Sequence, residues 1–459
     1  VKHVDLRPEA PDSASESAPA QPPAAPALAA CAVGAALWAL NVQHVAAPWP
    51  PLRDAAVALL VAYLALTLRQ ASRTTALIAA ACAAVTAMLL ATGSPSASIR
   101  DGLDFALVFM GFFPALVMVR AAFEAGPQIG RVARRLAARG AAGRSDSLLL
   151  LAHVTGAVMT MGAVGVVGPL AQSSGEDASR DAAALTCLRG MCLAVLWTPF
   201  TVGMGFAASH LPSVPLWEAS LCGAALAAVG LAASLRGGRD LRSVGGAVAD
   251  VAPVTAPALL AAAALIAANA ATGLSTLHLI ILLMPPVSLL YVWRMRPGSV
   301  APLGARVWRD LGGMGNDMLL FSCSIAMGFA LQAHPGFEGA LTGLGLDGLP
   351  AVALMAMLTT MALLCALAGL HVTVTGAVTI AIASGLDGAL SDLAVFLLIL
   401  FAWSMGAMLS MSSLAVAVTG RTFDVPMGRL IYGANLPFAA VLGLTLTLAV
   451  GLIDWAARS

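Results

Sequence analysis

Four short stretches of this 459-residue chain hold the residues best suited to chemistry. They are HVTGAVMTMGAVGVVGPLAQ (153–172), WTPFTVGMG (197–205), HVTVTGAVTIAIASG (371–385) and WSMGAMLSMSS (403–413). Each is apolar enough to enter lipid, yet each is crowded with Gly and with Thr or Ser hydroxyls. Two of them open on His-Val-Thr and share Thr-Gly-Ala-Val, at Thr155–Val158 and Thr375–Val378. If a helix is interrupted inside a bilayer, its freed carbonyls and nearby hydroxyls become neutral oxygen ligands of the kind that hold Na+. The half-helix that restarts after the interruption presents unpaired N–H groups and a positive dipole end, suited to carboxylates and oxyanions. These stretches can therefore supply ligands for a small anionic or polar solute and for a cation.

Other reactive side chains are few. Arg189, in CLRGMC, lies about two turns inside an apolar segment. Two roles fit it: neutralising an anion, or snorkelling to the interface or into a structural pair. His153 and His371 open the twin phrases. Each reads as a hydrogen-bonded structural group or, from its symmetric placement, as a pH-responsive one. Asp104 and Asp317 read as helix-start or interface residues. Met159, Met161, Met405, Met408 and Met411 read as packing, with a soft solute as the alternative. The seven Cys form no CxxC and pair with no His at metal-ligand spacing, so no metal site is expected. HExxH, GxSxG and Walker A patterns are absent, which argues against an enzyme and against ATP-driven pumping by this chain.

The elements that must position these residues are set by composition. Hydrophobic residues make up 59% of the chain and charged ones 10%, and the mean hydropathy is +0.89. That is too little charge to wet a water-facing globule of this size, so lipid must solvate most of the surface. The net charge of +1 gives no reason to expect nucleic acid. Residues 1–26 are Pro/Ala/Ser-rich and read as a disordered cytoplasmic tail without signal-peptide features.

About 20 apolar residues cross the hydrocarbon as a helix. Eleven candidates fall near 27–45, 54–69, 74–92, 103–121, 183–209, 215–235, 253–272, 275–293, 315–333, 392–419 and 434–453. Arg-rich loops at 120–144, 236–252, 294–312 and 420–432 are placed in the cytoplasm, and the Lys/Arg-free stretch 334–350 outside. Three apolar stretches then lie between cytoplasmic loops 120–146 and 236–252, and three crossings cannot return to the same side. Reading 147–172, rich in Gly and ending near Pro169, as a re-entrant hairpin restores parity. The same argument from the outside makes 348–386 a second hairpin and leaves 392–419 as the one crossing.

Further matches keep the same order in both halves: Asp104 with Asp317, Phe123-Glu124 with Phe337-Glu338, and Trp197-Thr198 with Trp403-Ser404. With the charge-derived orientations they read as an inverted repeat, the architecture of secondary transporters that bind solute between repeats. The segment Asp181–His210 would be about 45 Å long as one helix, more than a span needs. Pro199 in its middle fits either a kink or a break, and the repeat favours a break.

Across residues 100–455, in order of segments more than in motifs, the chain resembles the ion transporter superfamily. That group comprises divalent-anion/sodium symporters, arsenite and sodium/proton carriers, and the large membrane subunit of TRAP transporters. In that resemblance GPQIGRVARRLAARG (126–140) stands as an interfacial arm helix, its Arg residues at helical spacing. A solvated basic loop is the alternative. The resemblance implies an elevator mechanism, with hairpins and broken helices sliding against a scaffold. It nominates Thr155, Gly156, Thr160 and Gly162 in one hairpin, and Thr373, Thr375, Gly376 and Thr379 in the other. From the breaks it nominates Thr198, Pro199, Thr201 and Gly203, then Ser404, Gly406, Ser410, Ser412 and Ser413. The chain lacks the symporters' Ser-Asn-Thr triplet, and its carboxylates lie at span ends or in loops, against citrate- or sulfate-like specificity and further against proton antiport.

The expectation is an all-α polytopic membrane protein of about 11 spans, with two re-entrant hairpins and two broken helices. Its parts are N-terminal helices 27–100 (scaffold or dimer contact), repeat 1 at 101–240, connecting helices 241–312 and inverted repeat 2 at 313–459. The function expected is secondary transport of a small anionic or polar solute across a bacterial inner membrane, with the N-terminus cytoplasmic and Na+ as a candidate coupling ion. No other cofactor is expected. The alternative is a non-transporting membrane subunit of a larger complex. Homodimerisation and a separate small membrane or periplasmic partner stay open.

Overall fold

A computed structural model describes residues 25–137, 141–160, 162–172, 177–235, 241–386 and 388–458. Most of the expected N-terminal tail lies outside the described residues, as do Met161 and Arg139. Among the described residues the regular structure is entirely helical. In chain order the helices are α1 (Ala25–Ala46), α2 (Pro50–Thr67), α3 (Arg73–Thr92), α4 (Ala97–Leu107), α5 (Phe109–Ala125) and α6 (Gln128–Ala137). Next come α7 (Ala141–Met159), α8 (Gly162–Gln172), α9 (Asp177–Ala194), α10 (Val202–His210), α11 (Leu216–Ser234), α12 (Leu241–Thr272) and α13 (Thr276–Met295). The chain continues with α14 (Val300–Gly313), α15 (Gly315–Gln332), α16 (Phe337–Gly343), α17 (Ala351–Leu367) and α18 (Val372–Gly385). It ends with α19 (Asp392–Leu409), α20 (Leu414–Phe423), α21 (Met427–Tyr432) and α22 (Asn435–Arg458).

Nine helical runs among the described residues are long and apolar enough to cross a membrane. A tenth is added if 297–313 and 315–332, bent by 48° at Met314, count as one span. Large apolar side chains such as Leu77, Leu221, Leu260 and Leu452 project outward from these helices. In water such a surface would be a liability; in lipid it is the expected one. Backbone polar groups in hydrocarbon must be satisfied within the segment, which is why these apolar runs are helices.

Several expected loops are helical: 334–350 holds α16, and 420–432 holds the end of α20 and all of α21. The loop assigned to 236–252 is helical from Leu241, so α12 runs 32 residues through Pro253 and Pro257. The Arg-rich loop 294–312 contains α14, whose Leu303, Val307 and Leu311 are buried at helical spacing while Arg306 and Arg309 face outward. In 236–252 and 294–312 the density of Arg masks the helical period of the apolar residues.

The packing partners recur in exchanged form. Helix α9 packs on α20 and α19 on α10; α9 and α19 touch each other. Helix α11 packs on α9, α22 on α19, and α11 touches α22. Helices α4 and α15 also pack together, with Gly102 letting the α15 backbone approach: a Cβ at 102 would lie 2.7 Å from the Cα of Ala326.

Candidate functional site

The first junction forms where α7 gives way to α8 and α9 to α10. Thr160, after the end of α7, has φ 48°. A β-branched residue in the left-handed region is strained and persists where its surroundings hold it. Its hydroxyl accepts a 2.7 Å hydrogen bond from a terminal nitrogen of Arg120 on α5. Between α9 and α10 the chain leaves the helix over 195–201. Pro199 accounts for this locally, since it lacks an N–H and disfavours helical geometry at Thr198. Thr198 turns its hydroxyl to the carbonyl of Ala157 at 2.8 Å, tying the interruption to the end of α7. Thr201 then caps α10, accepting from the Met204 N–H at 3.5 Å.

The second junction repeats this arrangement with different residues. Helices α17 and α18 are separated by 368–371, where Gly369 has φ 78° and supplies the turn. His371 caps α18 through its Nδ1, which lies 3.4 Å from the Thr373 N–H and 2.9 Å from the Thr373 hydroxyl. The chain is non-helical again over 410–413, where the Ser410 and Ser412 hydroxyls are 2.8 Å apart. Ser413 caps α20, accepting from the N–H groups of Ala415 and Val416 and donating to the Ala407 carbonyl at 2.6 Å.

Small residues let these parts close on each other. A Cβ at Gly406 would lie 2.1 Å from Val372 Cγ1, so the start of α18 rests on the end of α19. The Trp403 ring fills the space over both Gly203 and Gly376, where added Cβ atoms would approach it to 2.7 and 2.4 Å, and it lies 4.9 Å from the Phe206 ring. Ser404 donates to the Cys192 carbonyl at 2.7 Å, pinning α19 to α9. Four helices (α8, α10, α18, α20) begin at the two junctions and four (α7, α9, α17, α19) end there. The N-terminal ends offer positive dipole ends and the N–H groups that the caps leave over to an anion, and the C-terminal ends offer carbonyls to a cation.

The nominated residues divide by place. Thr160, Gly162, Thr198, Pro199, Thr201, His371, Ser410, Ser412 and Ser413 lie at tips or interruptions. Gly156, Gly203, Gly376, Ser404 and Gly406 are helical and act as close-approach or pinning positions. A Cβ at Gly156 would stand 2.8 Å from Met191 Cα. The Thr155 hydroxyl is spent on the Leu151 carbonyl at 2.6 Å, and Thr373, Thr375 and Thr379 are buried in α18. Arg189 straps α9 to the start of α22: Nε donates to Asn435 Oδ1 at 2.8 Å, a terminal nitrogen to the Ala434 carbonyl at 2.6 Å, and the guanidinium lies 4.4 Å from the Phe438 ring centroid. Both ring nitrogens of His153 are engaged. Nε2 accepts from the Trp197 indole at 3.0 Å, which leaves Nδ1 to donate to the Gly190 carbonyl at 3.1 Å. Of the methionines, Met159, Met405 and Met408 are buried, while Met411 is 48% exposed beside the second interruption.

The twin phrases do not occupy equivalent places. His153 lies within α7, before the first tip, whereas His371 follows the second tip and caps α18. Trp197 sits in an interruption and bonds His153; Trp403 is within α19 and packs between glycines. The expected match of the two phrases is therefore corrected: they fall at different positions relative to the helix ends. Sequence reasoning also passed over Arg120, counted there as a loop residue, and Ser324 on α15, which accepts from Thr373 at 3.2 Å. Arg120 stands well before the end of its helix, a position that marks it as more than a loop charge.

Among the described residues no group of three or more His, Cys, Asp or Glu is placed to hold a metal ion. No protein-family model and no curated protein matches the chain. The apolar helices and their lipid-suited surface define a multi-pass integral membrane protein.

Proposed function

We propose that the chain is a secondary transporter for a small anionic or polar solute, working in the inner membrane of a bacterium with its N-terminus in the cytoplasm. One observation carries this reading: four helix N-termini and four helix C-termini meet at two hydroxyl-rich junctions. Interrupted helices at membrane depth are costly unless they line a binding site. On this reading α7–α8 and α17–α18 are re-entrant hairpins entering from opposite faces, and α9–α10 counts as a crossing, which gives eleven. The exchanged packing of α9, α10, α11 with α19, α20, α22 supports two inverted halves, as does the shared order of elements.

The solute would lie between the junctions, its anionic group against the starts of α8, α10, α18 and α20. Na+ would take carbonyl and hydroxyl oxygens at Thr198, Ser410 and Ser412. The hairpins with the interrupted helices would slide as one body against a scaffold of α4, α5, α13 and α15. The reading stands in line with the resemblance to the ion transporter superfamily. The test is reconstitution into liposomes with an imposed Na+ gradient and a panel of labelled small carboxylates and oxyanions. Saturable uptake is expected for one class. Absence of uptake for every solute under Na+, proton and exchange conditions would favour a non-transporting subunit.

A further inference from the structure

Each hairpin tip is tied by one side-chain hydrogen bond to the long helix that opens its own half. At the second tip the Thr373 hydroxyl donates to Ser324 on α15 at 3.2 Å. At the first, Arg120 on α5 donates to the Thr160 hydroxyl at 2.7 Å. The first tie is the stronger kind, because its donor is a cation. Thr160 is the one side-chain acceptor found for this guanidinium among the described residues; the Arg120 Nε is buried without a protein partner. Glu124, one turn along α5, is already paired with Arg306 of α14 at 3.1 Å. Helical side chains lean toward the N-terminus of their helix, so Arg120 reaches away from the α5–α6 end and up to the tip.

We propose that Arg120 is a latch that fixes the height of the first hairpin against the scaffold. Its grip also explains how Thr160 is kept at positive φ. Moving the hairpin along α5 takes from Arg120 its hydrogen-bond acceptor and leaves its charge balanced only through space, by Glu124, Asp310 and Asp317. The arrangement with the bond intact is therefore favoured over any other height, and the latch must open for the moving body to travel. This inference rests on the sliding-body reading above. It assigns to Arg120 a positioning role that does not require contact with solute.

The test uses a full-length, Cys-free background in membrane vesicles. Thr373→Cys with Ser324→Cys reports the present height, since the two native oxygens are 3.2 Å apart. Thr373→Cys with Leu331→Cys, two turns farther along α15, reports an outward-shifted one. Arg120→Gln and Thr160→Val are introduced separately, the second in case the first fails to insert. Both are expected to lower the 324–373 to 331–373 disulfide ratio about tenfold, the scale of one hydrogen bond to a charged group. If both pairs form but neither variant moves the ratio, the latch is overturned while the sliding body stands. If the 331–373 pair never forms in any background, the sliding-body reading fails and the latch with it.

Discussion

Gly190 offers the sharpest stability test, because replacing its hydrogen by a methyl group meets backbone. A Cβ there would lie 2.5 Å from the Leu149 carbonyl oxygen, 2.8 Å from the Ala152 Cβ and 3.1 Å from the His153 nitrogen. None of these atoms can rotate aside, so α7 and α9 must separate by about 1 Å to reach ordinary contact. Overpacking of this kind costs about 1–3 kcal/mol. The hydrogen bond from His153 to the Gly190 carbonyl lies on the same seam, and losing it adds about 1 kcal/mol. Ala gains about 1 kcal/mol over Gly in helix propensity. The net expectation for Gly190→Ala is a loss of about 1–3 kcal/mol. Gly165 on α8 is the control, since a Cβ there meets nothing within 4 Å. Unfolding midpoints in detergent should rank Gly165→Ala at or above the parent and Gly190→Ala clearly below it. A Gly190→Ala midpoint equal to the parent's would refute the close α7–α9 seam, and with it the placement of the first junction.

Trp197→Phe removes the donor that satisfies His153 Nε2 and leaves a buried acceptor unpaired, a loss of about 1–3 kcal/mol. The midpoint should fall, and Trp197→Phe should cost little more once His153 is also replaced by Leu. Ser413→Ala removes the α20 cap, at about 1 kcal/mol, and should lower the midpoint more than Ser412→Ala, whose hydroxyl among the described residues meets Ser410 alone. Equal effects of the two Ser variants would contradict the capping geometry.

Much of the layout was legible from one-dimensional signals. Apolar length located the membrane helices, and Pro199 with its flanking Thr residues located one interruption, because a missing N–H acts locally. The amphipathic helix α14 was hidden by its own charges: Arg306 and Arg309 raised the loop signal while Leu303, Val307 and Leu311 carried the helical period. The twin His-Val-Thr phrases misled for a physical reason. Small apolar residues suit several helix positions, so similar words serve before one tip and after the other. Partners distant in sequence were out of reach. Arg189 meets Asn435 across 246 residues, and Arg120 meets Thr160 only once the α7–α8 turn is brought to α5. Equally, Gly203 and Gly376 carried no sign that one Trp403 ring would cover both.

The proposed transport depends on two hairpins that enter from opposite faces. Gly165 and Ser384 are exposed positions, one on each candidate hairpin, and Leu260 is an outward-facing control on α12. Single Cys residues at these sites, in a Cys-free chain, would be treated with a membrane-impermeant thiol reagent from either side of oriented vesicles. The expected result is labelling of Gly165→Cys from the cytoplasmic side, of Ser384→Cys from the outer side, and of Leu260→Cys from neither. Labelling of Gly165→Cys and Ser384→Cys from the same side would contradict the opposed hairpins and remove the main support for transport.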